Sequence, residues 1–236
     1  MSPIGEIREL ATGLWVVNGP TVSFYGLPYP TRMTLVRNPT GALIAHSPVA
    51  LEQAGFPGID ALGPVAFLLA PNKIHHLSLD KWVARYPGAA LWGTAALIEK
   101  RRDLAFAGAF EEHVDGPWSD CLEHALVKGS KVMEEAVFFH RESRTLIVAD
   151  MVENFDPRAV AWWFRIIARL VGILAPNGGM PRDWRATFRD KQALRRSLRM
   201  ILAWSPERLI MSHGLIIETG ATAFLKRAFA WAGDID

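Results

Sequence analysis

Short apolar runs separated by Pro, Gly and Asn predict that the chain begins with β-strands. Residues 14–18, 33–37 and 42–45 are rich in apolar and β-branched side chains. The Asn38-Pro39-Thr40-Gly41 sequence between the last two runs is typical of a hairpin turn. Residues 65–70 (VAFLLA) are apolar at every position, which indicates a strand that is buried on both faces.

Helices are expected to alternate with strands after the hairpin. Ser47-Pro48 predicts a helix start with proline at the first helical position. Residues 76–86 predict a second helix, which Pro87-Gly88 would end. A strand at 90–92 and a helix at 94–101 follow. This β-α-β-α order predicts parallel strands that are joined by helical crossovers.

The second half again begins with strand-like runs and continues with helices. The short polar segment 140–144 predicts a hairpin between the second and third of these strands. Two sheets that face each other with helices outside would use every element, so we predict one α/β domain over residues 1–236. The elements predicted in this half are strands at 123–127, 135–139, 145–149 and 208–211, and helices at 157–174, 188–204 and 221–232.

Composition and charge narrow the class of protein. The chain has 50% hydrophobic and 21% charged residues, as globular domains do, and its net charge of +2 argues against a nucleic-acid partner. Its single cysteine, Cys121, excludes an internal disulfide framework and a cysteine-based zinc site. The N-terminal sequence lacks the apolar core of a secretory signal, and arginines interrupt the most hydrophobic stretch, residues 159–175. We therefore expect a cytoplasmic protein without a transmembrane segment.

Metal-binding side chains follow three predicted strands at the point where each strand ends. His75 and His76 follow the first buried strand, Asp150 follows Ala149, and His213 follows the strand near residue 210. Sites in α/β sheets gather at the carboxyl ends of strands, and imidazoles with a carboxylate suit zinc or iron. Each residue alone also fits a structural role, such as a hydrogen-bonded histidine or a capping aspartate. Together they predict a site for a divalent ion, which would lower the pKa of bound water towards ~7.

The order of elements and these strand-end residues resemble the metallo-β-lactamase superfamily. On this resemblance, Asp150 in TLIVAD matches the family's bridging aspartate, and His213 in IMSHG matches its final histidine. The family's H-x-H-x-D-H loop matches residues 71–76 and ends at His76. The phrases YPTRMTLVR, LIAHSPV, PNKIHH and FFHRESRTLIVAD also resemble an uncharacterised branch of the superfamily, known as a domain of unknown function, over roughly residues 5–230. The resemblance implies a four-layer αββα sandwich, with two mixed sheets face to face and helices outside.

Several metal ligands that this family usually carries are replaced in the chain. Pro71 and Lys73 stand at the first two histidines of the loop, and His75 stands at its aspartate. The segment 128–130 (KGS) stands where members usually have Gly-His, and His46 lies near the position of a further aspartate. The resemblance therefore implies at most one metal ion, zinc or iron, since Lys73 also adds positive charge. The expected ligands are His76, Asp150 and His213 with His75 as a fourth, and the reserve candidates are Glu134, Glu135 and His46.

Two functions fit these residues. A metal-dependent hydrolase would act on an ester, amide or phosphoester group of an unknown small molecule, and Lys73 or His75 would stabilise the charge that develops. Asp150, His75 and Lys73 are accordingly the predicted catalytic residues. A non-catalytic binding or assembly module of the same fold is the alternative, and the replacements Pro71 and Lys73 favour it.

A tryptophan-rich helix and a basic stripe leave further interpretations open. The predicted helix around Trp162-Trp163-Phe164 carries Arg165 and Arg169 on one face. A buried helix, a cover over the active-site mouth, a homodimer contact and a peripheral lipid contact all fit this pattern. The basic stripe fits a solvated face, or a surface for an anionic substrate or a nucleic-acid backbone; it comprises Arg185, Arg189, Lys191, Arg195, Arg196 and Arg199.

Overall fold

Two mixed β-sheets organise the chain, one in each half. A computed structural model describes residues 3–112 and 115–235, and the chain divides into two units between Cys121 and Leu122. Within these residues the first unit contains a seven-stranded sheet and the second unit a four-stranded sheet. Helices occur in both units, so the predicted α/β class is confirmed.

The first sheet keeps the order of the sequence from one edge to the other. Its strands are β1 (Ile7–Ala11), β2 (Leu14–Phe24), β3 (Leu27–Arg37), β4 (Leu43–His46), β5 (Val65–Ala70), β6 (Ala90–Gly93) and β7 (Gly108–Ala109). The helices of this unit are α1 (Phe56–Asp60), α2 (Leu79–Arg85) and α3 (Ala95–Lys100). Strands β1 to β4 pair in antiparallel fashion, and β4 to β7 pair in parallel. The predicted parallel crossovers are confirmed.

The predicted hairpin between β3 and β4 is also confirmed. The side-chain oxygen of Asn38 accepts hydrogen bonds from the backbone N–H groups of Thr40 and Ala42, at 3.1 and 2.9 Å. Gly41 adopts a φ of +87°, a conformation that glycine tolerates at no steric cost. Strand β1 was not predicted, because its residues are half-buried or exposed and form no apolar run.

The segment after β4 corrects one prediction. Ser47-Pro48 does not begin a helix, because residues 48–52 form no regular element and Ser47 adopts a φ of +54°, whereas a residue that caps a helix N-terminus is typically extended. The next regular element begins only at Gln53, with a 3₁₀ turn. Helix α2 likewise begins three residues later than predicted, since residues 73–78 form turns.

The second sheet has the strand order β11-β10-β9-β8. Its strands are β8 (Leu122–Val127), β9 (Glu135–His140), β10 (Thr145–Ile147) and β11 (Arg208–Ile210), and its helices are α4 (Trp162–Val171), α5 (Arg182–Arg185), α6 (Lys191–Ala203) and α7 (Ala221–Ala228). Strand β9 pairs antiparallel with both β8 and β10, which confirms the predicted hairpin. Strands β10 and β11 pair in parallel. Every residue of β9 is buried, so this strand forms the centre of the second core.

The helices of the second unit are shorter than the apolar pattern predicts. Helix α4 begins at Trp162, because the Asp156 side chain accepts the N–H of Arg158 and holds the preceding residues in a turn. It ends at Gly172, which adopts a φ of +83° as a C-terminal cap. Helix α6 begins after Asp190, which caps its first turn. Within residues 3–112 and 115–235, no helix has the length and the apolar character that crossing a membrane requires.

His140 ends β9 as a buried imidazole. Its Nδ1 lies 2.7 Å from the Ser143 hydroxyl oxygen in the turn between β9 and β10, and the residue is 3% exposed. Burial lowers the pKa of His140, and the nearby Glu142 carboxylate opposes this effect only in part. The folded state therefore favours the neutral form of the ring.

We expect acid to destabilise the fold through His140. As the pH falls below about 6.5, the unfolded chain takes up a proton at this residue before the folded chain does, so the free energy of unfolding falls. Uptake of one such proton lowers the free energy of unfolding by at most about 1.4 kcal/mol per pH unit. Chemical unfolding at pH 5 to 8 should show a shallower pH dependence for His140→Asn. The variant His124→Asn retains His140 and should keep the slope; an unchanged slope in His140→Asn would contradict the assignment.

Candidate metal centre

The parallel pairing of β10 with β11 brings two predicted site residues together. In this pairing Ile147 lies opposite Ile210, at the carboxyl ends of the two strands. Asp150 and His213 each follow three residues later, so the chain carries both side chains beyond the same edge of the sheet. Asp150 Oδ1 lies 3.2 Å from His213 Nε2, and both residues are buried.

Backbone contacts fix the segment that carries His213. The carbonyl oxygen of His213 accepts the N–H of Asn154 at 3.1 Å, and the N–H of Leu215 donates to the Asn154 carbonyl at 2.7 Å. Gly214 lies between these two bonds with a φ of +105°, and a Cβ at this position would lie 2.2 Å from the Asn154 carbonyl oxygen. Glycine is therefore required after His213, which accounts for the SHG sequence.

Glu135 holds the segment that carries Asp150. This glutamate begins β9 and is fully buried. Its carboxylate accepts hydrogen bonds from the N–H groups of Ala149 and Asp150, each at 2.8 Å, and from the N–H of Met151 at 3.1 Å. A buried carboxylate needs such donors to offset its desolvation. Glu135 thus positions Asp150, whereas the sequence had suggested it as a reserve ligand.

In the first unit, the loop after β5 positions His75. The side-chain oxygen of the buried Asn72 accepts the N–H groups of Ile74 and His75, at 3.0 and 3.2 Å. The Nδ1 of His75 lies 2.5 Å from the hydroxyl oxygen of Ser47, which follows β4 directly. A ring nitrogen held by a protein oxygen is the usual arrangement of a metal-binding histidine, whose second nitrogen coordinates the ion.

His76 has cationic neighbours in the same unit. Its Nδ1 lies 3.2 Å from an Arg101 guanidinium nitrogen, and Arg101 also pairs with Asp80 and Asp103. Burial lowers the pKa of His76, and the positive charges of Lys100 and Arg101 lower it further. Arg101 therefore bridges His76 and Asp80.

The remaining predicted residues have varied positions. Lys73 is half-buried, and its carbonyl oxygen accepts a hydrogen bond from Lys100 at 3.1 Å. His46 is the buried last residue of β4, and Glu134 is half-buried before β9. Sequence reasoning missed Ser47 and Asn72, although an asparagine in a loop directly after a buried strand is a signal of a side-chain-stabilised turn.

A sequence profile identifies the family. The profile of a domain of unknown function, DUF4336, matches residues 14–163, which is more than half of the 236 residues. The chain belongs to the DUF4336 family. A search of curated proteins found no match. The uncharacterised branch that the sequence resembles is thereby confirmed.

Solved metallo-β-lactamases resemble this DUF4336 member over nearly its whole length. The metallo-β-lactamase from Pontibacter korlensis is 12% identical with a TM-score of 0.63, and the match covers 97% of this chain and 99% of that chain. The one from Erythrobacter litoralis is 15% identical with a TM-score of 0.62, covering 96% and 91%. The DIM-1 metallo-β-lactamase is 12% identical with a TM-score of 0.65, covering 96% of each. This DUF4336 chain therefore has the metallo-β-lactamase fold that the sequence resemblance implied.

We expect Glu135→Gln to destabilise the second unit by about 2–3 kcal/mol, because an amide presents one acceptor and one donor group where the carboxylate accepts from three N–H groups. Chemical unfolding measures this loss. The adjacent, half-buried Glu134 provides the matched control, and Glu134→Gln should change the free energy of unfolding by less than about 0.5 kcal/mol. Equal effects of the two variants would show that Glu135 does not hold the Asp150 segment.

Proposed function

We propose that the protein is a metal-dependent hydrolase that binds one divalent ion through Asp150 and His213, with the sequence-predicted ligand His75 as a third donor. The observation that carries the proposal is the buried Asp150–His213 pair at the carboxyl ends of two parallel strands. Buried carboxylates and imidazoles that meet at strand ends are typical of catalytic sites in α/β folds.

The donor set of this pair fits zinc or iron. Two ligands that each lie about 2.1 Å from a tetrahedral ion are roughly 3.4 Å apart, and the Asp150 and His213 donor atoms are 3.2 Å apart. When bound, a divalent ion supplies Lewis-acid chemistry, because it lowers the pKa of water and polarises a carbonyl or phosphoryl oxygen. Glu135 and Ser47 would keep the carboxylate and the third ligand, His75, in place.

His75 is a better third ligand than His76, although both were predicted. Its Nδ1 is held by the neutral hydroxyl group of Ser47, an arrangement that would direct Nε2 towards an ion. His76 instead has Arg101 at its Nδ1 and Lys100 nearby. Coulomb repulsion from these two charges opposes the binding of a cation at His76.

The residues that replace the family's ligands support a single ion. Ser130 lies in the segment where members usually have Gly-His, and its hydroxyl group contacts the Thr187 hydroxyl at 2.7 Å. The same oxygen accepts the N–H groups of Val132 and Met133. Ser130 therefore stabilises a turn. Lys73 would bring a positive charge where a further ligand is usual, and we propose that it stabilises the negative charge that develops on the substrate.

A second candidate function is a non-catalytic binding module of the same fold. The separation of 3.2 Å between Asp150 Oδ1 and His213 Nε2 also fits a direct hydrogen bond between the two side chains. In that case each side chain is the hydrogen-bond partner of the other, and the pair needs no ion. Metal content separates the two candidates.

We expect protein that is purified without chelators to contain about one divalent ion per chain by elemental analysis, as a single site requires. The variants Asp150→Asn and His213→Gln should each lose it, whereas His124→Gln, which changes a histidine on β8, should retain it. Added zinc should also raise the melting temperature of the metal-stripped protein, because an ion that binds only the folded state stabilises it. Absence of metal from the unchanged protein, with no thermal shift on adding zinc, would contradict the proposal and favour the binding module.

We also expect hydrolysis of a substrate from a panel of activated esters, amides and phosphodiesters. Lys73→Met should then lower kcat by about 100-fold with unchanged metal content, because it removes one group that stabilises the transition state. Lys81→Met changes an exposed lysine of α2 and should leave kcat unaltered. If the two variants hydrolyse the substrate equally fast, Lys73 has no catalytic role.

A further inference from the structure

Helix α4 exposes an apolar stripe on the second unit. Phe164 and Ala168 are fully buried and attach the helix to its own unit. On the opposite face Trp162, Ile166 and Leu170 are 70%, 54% and 65% exposed. They are spaced four residues apart, so they form one continuous line along the helix. Large apolar side chains that are exposed side by side mark an interaction surface more often than single ones do.

Arginines border this stripe. Arg165 and Arg169 are exposed and lie one helical turn apart beside it, and Arg158 precedes the helix. Arg182 and Arg185 lie near the C-terminal end of α4. Their guanidinium nitrogens come within about 3.6 Å of the point where a Cβ on the capping residue Gly172 would stand. Residues 157–171 contain no acidic side chain, and Asp183 on α5 is the exposed acidic residue that follows. The charged side chains of residues 157–171 are therefore all arginines.

We propose that α4 binds the surface of an anionic phospholipid bilayer. An exposed apolar line with tryptophan at one end and arginines at its side is typical of a helix that lies in the membrane interface. The apolar side chains would enter the boundary of the headgroups and acyl chains, and the arginines would contact lipid phosphates. With ten residues, α4 is roughly 15 Å long, about half of the hydrocarbon thickness, and it lies on the bilayer without crossing it.

The charges favour a bilayer over a second copy of the chain. A symmetric contact through α4 would bring the arginines of one copy to the arginines of the other around an apolar centre, and like charges in an interface oppose association. An anionic surface instead complements every charged side chain of the helix. This inference is independent of the proposed metal site and concerns a different surface.

Flotation with lipid vesicles tests the inference. The unchanged protein should float with vesicles of phosphatidylcholine and phosphatidylglycerol and remain unbound with phosphatidylcholine alone. Arg165→Gln combined with Arg169→Gln should weaken binding by about 25-fold, since each basic residue contributes roughly five-fold near an anionic surface. Raising the salt concentration should also weaken binding to the anionic vesicles, because salt screens the attraction between the arginines and the lipid phosphates. Ile166→Ser combined with Leu170→Ser should abolish flotation.

Controls keep the result specific to α4. Val132→Ser changes another exposed apolar residue of the same unit and should float as the unchanged protein does. Equal melting temperatures of all variants would establish that they are folded. No flotation with anionic vesicles, or equal binding to both vesicle types, would overturn the inference. A dimer in sedimentation that the Ile166→Ser and Leu170→Ser changes dissociate would also overturn it, because α4 would then contact a second copy.

Discussion

The parallel pairing of β10 with β11 is the constraint on which the candidate site depends. Because Ile147 and Ile210 are opposite each other, the segments that follow leave the sheet at the same edge and bring Asp150 within 3.2 Å of His213. A buried carboxylate and imidazole are costly to desolvate unless each has partners. Asp150 and His213 are such partners for each other because two residues hold their segments close together. Glu135 accepts backbone N–H groups of the Asp150 segment, and Gly214 allows the tight turn after His213.

Two segments that the sequence resemblance aligned with ligand positions have structural contacts in this chain. Ser130 stabilises a turn. The loop after β5 positions His75 against Ser47 and places Arg101 beside His76. The positions of Asp150 and His213 depend instead on the register of β10 with β11 and on Glu135. The fold alone does not determine the function, which the proposed site residues must supply.

Much of the fold could be predicted from the sequence, because apolar runs such as residues 65–70 and turn residues such as Asn38 act locally. Strand-end placement also predicted that Asp150 and His213 would meet. Local signals failed where tertiary contacts decide: Ser47 takes a left-handed conformation instead of beginning a helix. The role of Glu135 was hidden because its donors come from a segment about 15 residues further along the chain. No pattern within β9 alone indicates that contact.

The proposed site would bind one ion through two imidazoles and one carboxylate. X-ray absorption at the zinc edge of the zinc-loaded protein tests it most directly, because histidine rings give characteristic outer-shell scattering. We expect two imidazole ligands per zinc in the unchanged protein and no site-bound zinc in His213→Gln. Zinc that shows the same imidazole scattering in both proteins, or none in either, would contradict it.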